Sequence, residues 1–126
     1  MFVNMYSEEI IDLYSERPYN GVLGLKTHEA SHDNPVCGDR IHVELLIEDG
    51  VVKDARYTNR KGCFVTVISA SLLMDKIRGM NIEDIKKLNK KDIDDLIGKE
   101  IIETRIKCEL LPLEAVKKAV NRTSYI

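Results

Sequence analysis

The stretch "NPVCGDRI", Asn34 to Ile41, sets a thiol and a carboxylate two residues apart, between a proline and the start of an alternating apolar run. Pro35 disfavours helix at the residue before it, and Gly38 adds backbone freedom. The local chain is therefore extended or turned, and in extended chain residues two apart share a face. Cys37 and Asp39 can then address a common point. Two more cysteines, Cys63 and Cys108, complete the thiol set. All three stand at junctions: Cys37 in a turn before a strand, Cys63 between a strand and a helix, Cys108 close to the start of the last helix. The partial positive charge of a helix start favours a thiolate at Cys63 and can do so at Cys108. Arg105 and Lys107 add full positive charge beside Cys108, in the same direction.

Three thiolates and one carboxylate make four ligands, the number that closes a tetrahedral zinc site. The same set matches the cysteine-rich ligation of an iron–sulfur cluster with one sulfur replaced by oxygen. A carboxylate is the harder ligand and suits that cluster less well, so the cluster would be easier to lose. The bland alternatives stay open at this point. Free cysteine is among the most buried residue types and can simply fill core. Asp39 alone reads as a turn residue, and the spacings do not match a CxxC zinc module.

The elements that must position these residues are legible in outline. "SEEIIDLYSE" has helical spacing at Ile10, Ile11 and Tyr14, with Ser7 as its cap. Pro18, Gly21 and Gly24 then break the pattern. "LKTHEASH" has weak strand character. Ile41, Val43, Leu45 and Ile47 alternate with His42, Glu44 and Leu46, the clearest strand in the chain. Asp49-Gly50 signals a hairpin, with "VVKDARYT" as the returning strand. Phe64 to Arg78 reads as a helix packed on the sheet and ended by Gly79. Two short helices follow, opened by Asn81 and Asn89 as caps. "KEIIETRIKCELL" is ambiguous. "PLEAVKKAV" is a final helix with Pro112 in its first turn and Leu113, Val116 and Val120 as its apolar stripe. Strands set before a run of helices predict an α+β sandwich in a single domain spanning 1–126.

Composition narrows the function classes. A net charge of −2 with cations spread among acids argues against nucleic-acid binding. No apolar run approaches the ~20 residues that span a bilayer, so no membrane role is expected. "MFVNMYSEEII" lacks the pattern of a secretory signal, which points to the cytoplasm. An odd number of cysteines makes no closed disulfide framework and favours free, metal-bound or catalytic thiols. His42 reads as a half-exposed strand residue. His28 and His32 flank the motif and read first as strand or surface histidines, with a spare ligand as the sharper alternative. The small residues Ser69 to Ser71 permit close helix packing. There is no serine–histidine–acid arrangement and no glycine-rich phosphate loop.

With these residues in view, the chain resembles the U-type iron–sulfur cluster assembly scaffold family: IscU, SufU and the N-terminal domain of NifU. The resemblance runs from about Tyr6 to about Val120. It rests on "NGVL" at Asn20 to Leu23, "NPVCGDRI" at Asn34 to Ile41, "GC" followed by "SAS" between Gly62 and Ser71, and "RIKCELLPLEAVKKA" at Arg105 to Ala119. It implies a three-stranded antiparallel sheet packed by several helices, a two-layer NifU-like sandwich. It implies Cys37, Asp39, Cys63 and Cys108 as ligands of a transient [2Fe–2S] cluster or iron, with zinc as the alternative occupant. It implies a cysteine desulfurase as sulfur donor and apoproteins as cluster acceptors.

Within that family the chain has mixed features. IscU-like members carry histidine before the last cysteine, whereas this chain has Lys107, as SufU-like members do. The interval from Cys63 to Cys108 is nevertheless too short for the SufU-like insertion. The Leu-Pro-Pro-Val-Lys chaperone element of IscU-like members is replaced by "IIETRIKC", and Arg60 stands where a glycine is usual. Two expectations follow: a scaffold for a labile cluster, or a zinc-dependent sulfur acceptor in which Cys108 takes persulfide sulfur. A stable zinc-folded interaction domain is the blander third. Oligomeric state and native metal stay open.

Overall fold

The alternation centred on Ile41 to Ile47 predicts a strand with one buried face. The computed structural model, which describes residues 8–34, 38–60, 64–97 and 110–121, places it at the centre of a three-stranded antiparallel sheet. In order among the described residues, the elements are α1 (Glu8–Glu16), β1 (His28–Asn34), β2 (Asp39–Glu48), β3 (Val51–Asn59), α2 (Phe64–Ile77), α3 (Ile82–Lys86), α4 (Lys90–Ile97) and α5 (Leu111–Val120). The sheet order is β1-β2-β3. Asp49 and Gly50 form the β2–β3 turn with φ of 54° and 75°. Two successive left-handed residues match the twist of the flanking strands, which is why an Asp-Gly pair closes this hairpin.

Register decides which side chains meet. His28 faces Leu45, Ala30 faces Val43, His32 faces Ile41 and Asn34 faces Asp39. On the other side Val43 faces Tyr57 and Ile41 faces Asn59. Directly opposed residues share a face. One face therefore carries Ile41, Val43, Leu45, Ala55 and Tyr57, all buried, and packs on the helices. The same row ends in three polar residues: Asn34, Asp39 and Asn59. The opposite face carries Glu29, Ser31 and Asp33 against Arg40, His42 and Glu44.

α2 and α5 together supply most of the helical side of the core. In α2, Val65, Val67, Ile68, Ala70, Leu73, Met74 and Ile77 are buried, as a nearly all-apolar helix must be. Ser71 does more than leave room, since it lies 3.4 Å from the buried Tyr57 hydroxyl. Beyond α2, Gly79 (φ 89°) donates to Val52 O and Val52 donates to Met80 O. The last turn of α2 thus lies beside the start of β3, and its first turn lies towards Asn59.

α5 is oriented by two contacts. Lys118 Nζ donates to Ser31 O at 2.7 Å, and His32 Nε2 lies 3.8 Å from Glu114 Oε1. Moving from Lys118 back to Glu114 follows β1 from Ser31 towards Asn34, so the first turn of α5 points to that end of the sheet. Pro112 occupies this turn, where its missing N–H has no intrahelical role.

The expected caps form. Asn81 Oδ1 accepts from Asp84 N at 3.0 Å, and Asn89 and Asp92 cap each other reciprocally. In α1, Leu13 and Tyr14 pack on the core, and the Tyr14 and Phe64 rings lie 5.0 Å apart. Ile11 points outward instead. The Ser7 cap and most of "KEIIETRIKCELL" lie outside the described residues.

Ile41 has no exposed surface and sits two residues from Asp39. Ile41→Ala is expected to cost about 2–5 kcal/mol, read as a lower urea midpoint with an unchanged slope.

Candidate functional site

Asp39 is the first residue of β2 and belongs to the core-facing row, so the sheet carries its carboxylate out of water. It is 1% exposed. Burying a carboxylate is tolerated when hydrogen bonds replace its water. Here Arg40 N–H donates to Oδ1 at 2.9 Å and Asn59 Nδ2 donates to Oδ2 at 3.2 Å. Gly38 precedes it with φ of 76°, and Gly38 N donates to Asn34 O at 2.8 Å, closing the β1–β2 connection. Arg60 N donates to Arg40 O at 2.9 Å and holds the end of β3 against the start of β2.

Of the residues the sequence singles out, Asp39 is described. Cys37, Cys63, Cys108, Arg105 and Lys107 lie outside the described residues. Their chain neighbours are informative. Gly38, which follows Cys37, and Phe64, which follows Cys63, border the end of the sheet where Asp39 sits. Leu110, two residues after Cys108, opens α5, whose first turn points to the same end.

Two buried polar atoms near this end have no hydrogen-bond partner among the described residues: Asn59 Oδ1 and Thr66 Oγ1, the latter in the first turn of α2. A buried carboxylate beside an orphaned amide oxygen is a donor set that fits a metal ion. Asn59 was not singled out from sequence. The signal was there in its place in the alternation Ala55, Tyr57, Asn59, a polar residue on the core-facing row.

The three histidines separate by environment. His28 is buried, with Nδ1 2.8 Å from Thr27 Oγ1, and burial holds its pKa below the ordinary value of 6.5. His32 pairs with Glu114 on the α5 side. His42 is half-exposed, as its alternation predicts, and lies on the opposite face from Asp39. Its Nδ1 is 2.7 Å from Ser31 Oγ, and its Nε2 is 3.0 Å from Glu29 Oε1 and 3.3 Å from Glu44 Oε2.

Glu29, His42 and Glu44 thus bring three potential ligand atoms within 4.8 Å of one another. This group already contains a cation. Lys26 Nζ lies 3.5 Å from Glu44 Oε2 and 3.8 Å from Glu29 Oε1. Glu44 also accepts Leu23 N–H at 2.8 Å. Burial raises the Glu44 pKa, but the Leu23 N–H, Lys26 and His42 outweigh it and hold the carboxyl below its ordinary value. The cluster is a satisfied ion-pair network. An open cavity of about 630 Å³ beside it follows the β1 edge and is lined largely by polar and charged groups, among them Arg40 and Lys118.

The NifU-like N-terminal domain family matches residues 5–125. The chain belongs to this family. Among its relatives, the iron–sulfur cluster assembly scaffold protein IscU of Thermotoga maritima is 31% identical, over 98% of each chain. The zinc-dependent sulfurtransferase SufU of Bacillus subtilis is also 31% identical, over 94% of this chain and 90% of that one. A crystal structure of the N-terminal part of a nitrogen-fixing NifU-like protein from Brucella abortus superposes with a TM-score of 0.75 at 18% identity, covering 94% of each chain. The three-stranded sheet packed by helices is therefore the fold of this NifU-like domain family. Among the described residues no helix of this NifU-like domain is long and apolar enough to cross a membrane.

The buried His28 gives a pH dependence with a definite sign. Its folded pKa lies below its unfolded value of 6.5, so its stability contribution is fully present above that value. The contribution is lost as pH falls from there through the folded pKa. Urea midpoints are expected to drop between pH 7.5 and 5, roughly the histidine range, and to drop less in His28→Gln.

Proposed function

We propose that this chain is an iron–sulfur cluster assembly scaffold that accepts sulfur from a cysteine desulfurase, assembles a labile [2Fe–2S] cluster and transfers it to acceptor proteins in the cytoplasm. Cys37, Asp39, Cys63 and Cys108 are the ligands in this reading, with Arg105 and Lys107 favouring the thiolate of Cys108. The observation that carries it is the buried Asp39 carboxylate. It faces the helix layer at the sheet end bordered by the chain neighbours of Cys37 and Cys63, to which the first turn of α5, close after Cys108, also points. Family membership supports the class of function.

The chemistry divides between the ligands. The Cys108 thiolate attacks the outer sulfur of a desulfurase persulfide. A new sulfur–sulfur bond forms, the old one breaks, and the desulfurase thiolate leaves, with no net redox change. Release of that sulfur as sulfide then takes two electrons from an external reductant. Thiolates suit the iron of the cargo, whereas the harder Asp39 carboxylate is the weak point of its ligation. A weak ligand is a fault in an electron carrier and an advantage in a protein that passes its cluster on.

A second reading has its own support in Lys107 and in the zinc-dependent SufU relative. Here Cys37, Asp39, Cys63 and Cys108 would hold zinc, which would keep the thiolates together until the desulfurase arrives, and Cys108 would then be the thiolate freed to accept sulfur. Metal analysis and an absorption spectrum of protein purified without air separate the two. Iron with sulfide-to-iron absorption supports the scaffold. Stoichiometric zinc, desulfurase activation and no reconstitutable cluster support the acceptor.

Two variants test the residue roles. After anaerobic reconstitution, the Asp39→Ala cluster is expected to outlive the wild-type one in the presence of a chelator. An equal or shorter lifetime removes the lability argument. Cys108→Ser is expected to lose most sulfur uptake from a loaded desulfurase, and full uptake would reassign the acceptor.

A further inference from the structure

We propose that Asn59 is a positioning residue for Asp39: its side-chain amide sets the orientation in which that carboxylate meets the bound metal ion or cluster. This rests on the reading of Asp39 as a ligand.

The bonds from Arg40 and Asn59 reach different oxygens of Asp39. Arg40 N–H holds Oδ1 at 2.9 Å and Asn59 Nδ2 holds Oδ2 at 3.2 Å. Together they fix the carboxylate plane. The first donor is main chain and is present for any residue at 40 except proline. The second is a side chain and could be anything, so it is the adjustable half of the arrangement. Its amide can point only one way. Reversed, Asn59 would set its own carbonyl oxygen against Oδ2, acceptor against acceptor.

That orientation leaves Asn59 Oδ1 buried with no donor among the described residues. Orphaning a buried acceptor destabilises a fold, and an apolar side chain of similar size would avoid the loss. Asparagine has a rationale here if its donor half serves Asp39. The mount is also stiff. Asn59 opposes Ile41 across the β2–β3 ladder, and Arg60 N–H bonds Arg40 O at 2.9 Å. Carboxylate ligands to metals are themselves held by outer hydrogen bonds, and loss of such a partner costs about 10–100-fold in affinity. Asn59 has the geometry of that partner.

The test is a double-mutant cycle on the full chain with Zn²⁺ as probe, its affinity read by chelator competition and Co²⁺ substitution giving a visible spectrum. Metal-free circular dichroism and urea unfolding check that each variant folds. Asn59→Leu keeps the branched shape and number of heavy atoms and removes the donor. Asn59→Ser keeps a shorter donor and serves if the leucine variant does not fold. Asn59→Leu is expected to weaken Zn²⁺ binding about 10–100-fold and to shift the Co²⁺ bands, with Asn59→Ser intermediate. In an Asp39→Ala background, adding Asn59→Leu is expected to change nothing further, because the group it positions is gone. Zinc affinity is an equilibrium and cluster lifetime is a rate, so Asp39→Ala can weaken the first while lengthening the second.

The failures are distinct. If Asp39→Ala weakens zinc and the Asn59 variants do not, the role of Asn59 is overturned while Asp39 remains a ligand. If the loss from Asn59→Leu is equally large without Asp39, Asn59 acts on the fold and the proposal falls. If Asp39→Ala leaves both affinity and Co²⁺ spectrum unchanged, the ligand reading itself fails.

Discussion

The register of β2 between its two neighbours is the constraint on which the site depends. Asp39, Ile41, Val43 and Leu45 lie on one face because strand side chains alternate, and the apolar members of that row pull the polar one inward with them. A slip of one residue would bring Arg40 and His42 to the core side and turn Asp39 out to solvent. Hydrophobic burial along the strand therefore holds a carboxylate where water would otherwise keep it. Removing an ion from water costs several kcal/mol even after relaxation, which is why both oxygens of Asp39 are bonded.

The opposite face carries a matching constraint. Glu29 and Glu44 stand directly opposite each other, an arrangement that repels. His42 lies between them, Lys26 supplies the cation, and Leu23 N–H takes the remaining oxygen of Glu44. The network ties the segment before β1 to the middle strand. A little earlier in the chain, Tyr57 accepts Gly21 N–H and donates to Tyr19 O, so residues 19–21 run along the outer edge of β3 and shield it. Both sides of β2 are thus pinned by contacts remote from its end, and Asp39 inherits that rigidity.

Legibility in the sequence followed the strength of the apolar pattern. β2, β3, their Asp-Gly hairpin, α2 and α5 were all readable, because a buried face repeating every second or every 3.6 residues has few alternatives. β1 was faint for a physical reason: its inward residues are His28, Ala30, His32 and Asn34, with no large aliphatic among them. It becomes a strand by pairing with β2 rather than by its own pattern. In α1, Ile11 matched the helical stripe, yet Leu13 and Tyr14 carry the contact, since a short terminal helix takes its orientation from what it meets, here Phe64. At the site, spacing predicts a face shared by Cys37 and Asp39, but Cys37 lies outside the described residues. Asn59 was not legible, because asparagine at a strand end looks like the start of a turn. Only the cross-strand pairing of Ile41 with Asn59 turns it into a neighbour of Asp39.

The mounting of Asp39 has a consequence for release. Asp39 sits on a paired strand, and on the proposed reading its carboxylate, the hardest of the ligands, is the one a cluster would give up most easily. The freed carboxylate does not have to find water in a buried pocket, because Arg40 N–H and Asn59 Nδ2 already hold it. On that reading, the hydrogen bonds that make a buried aspartate tolerable in the fold are the same ones that orient it towards its cargo.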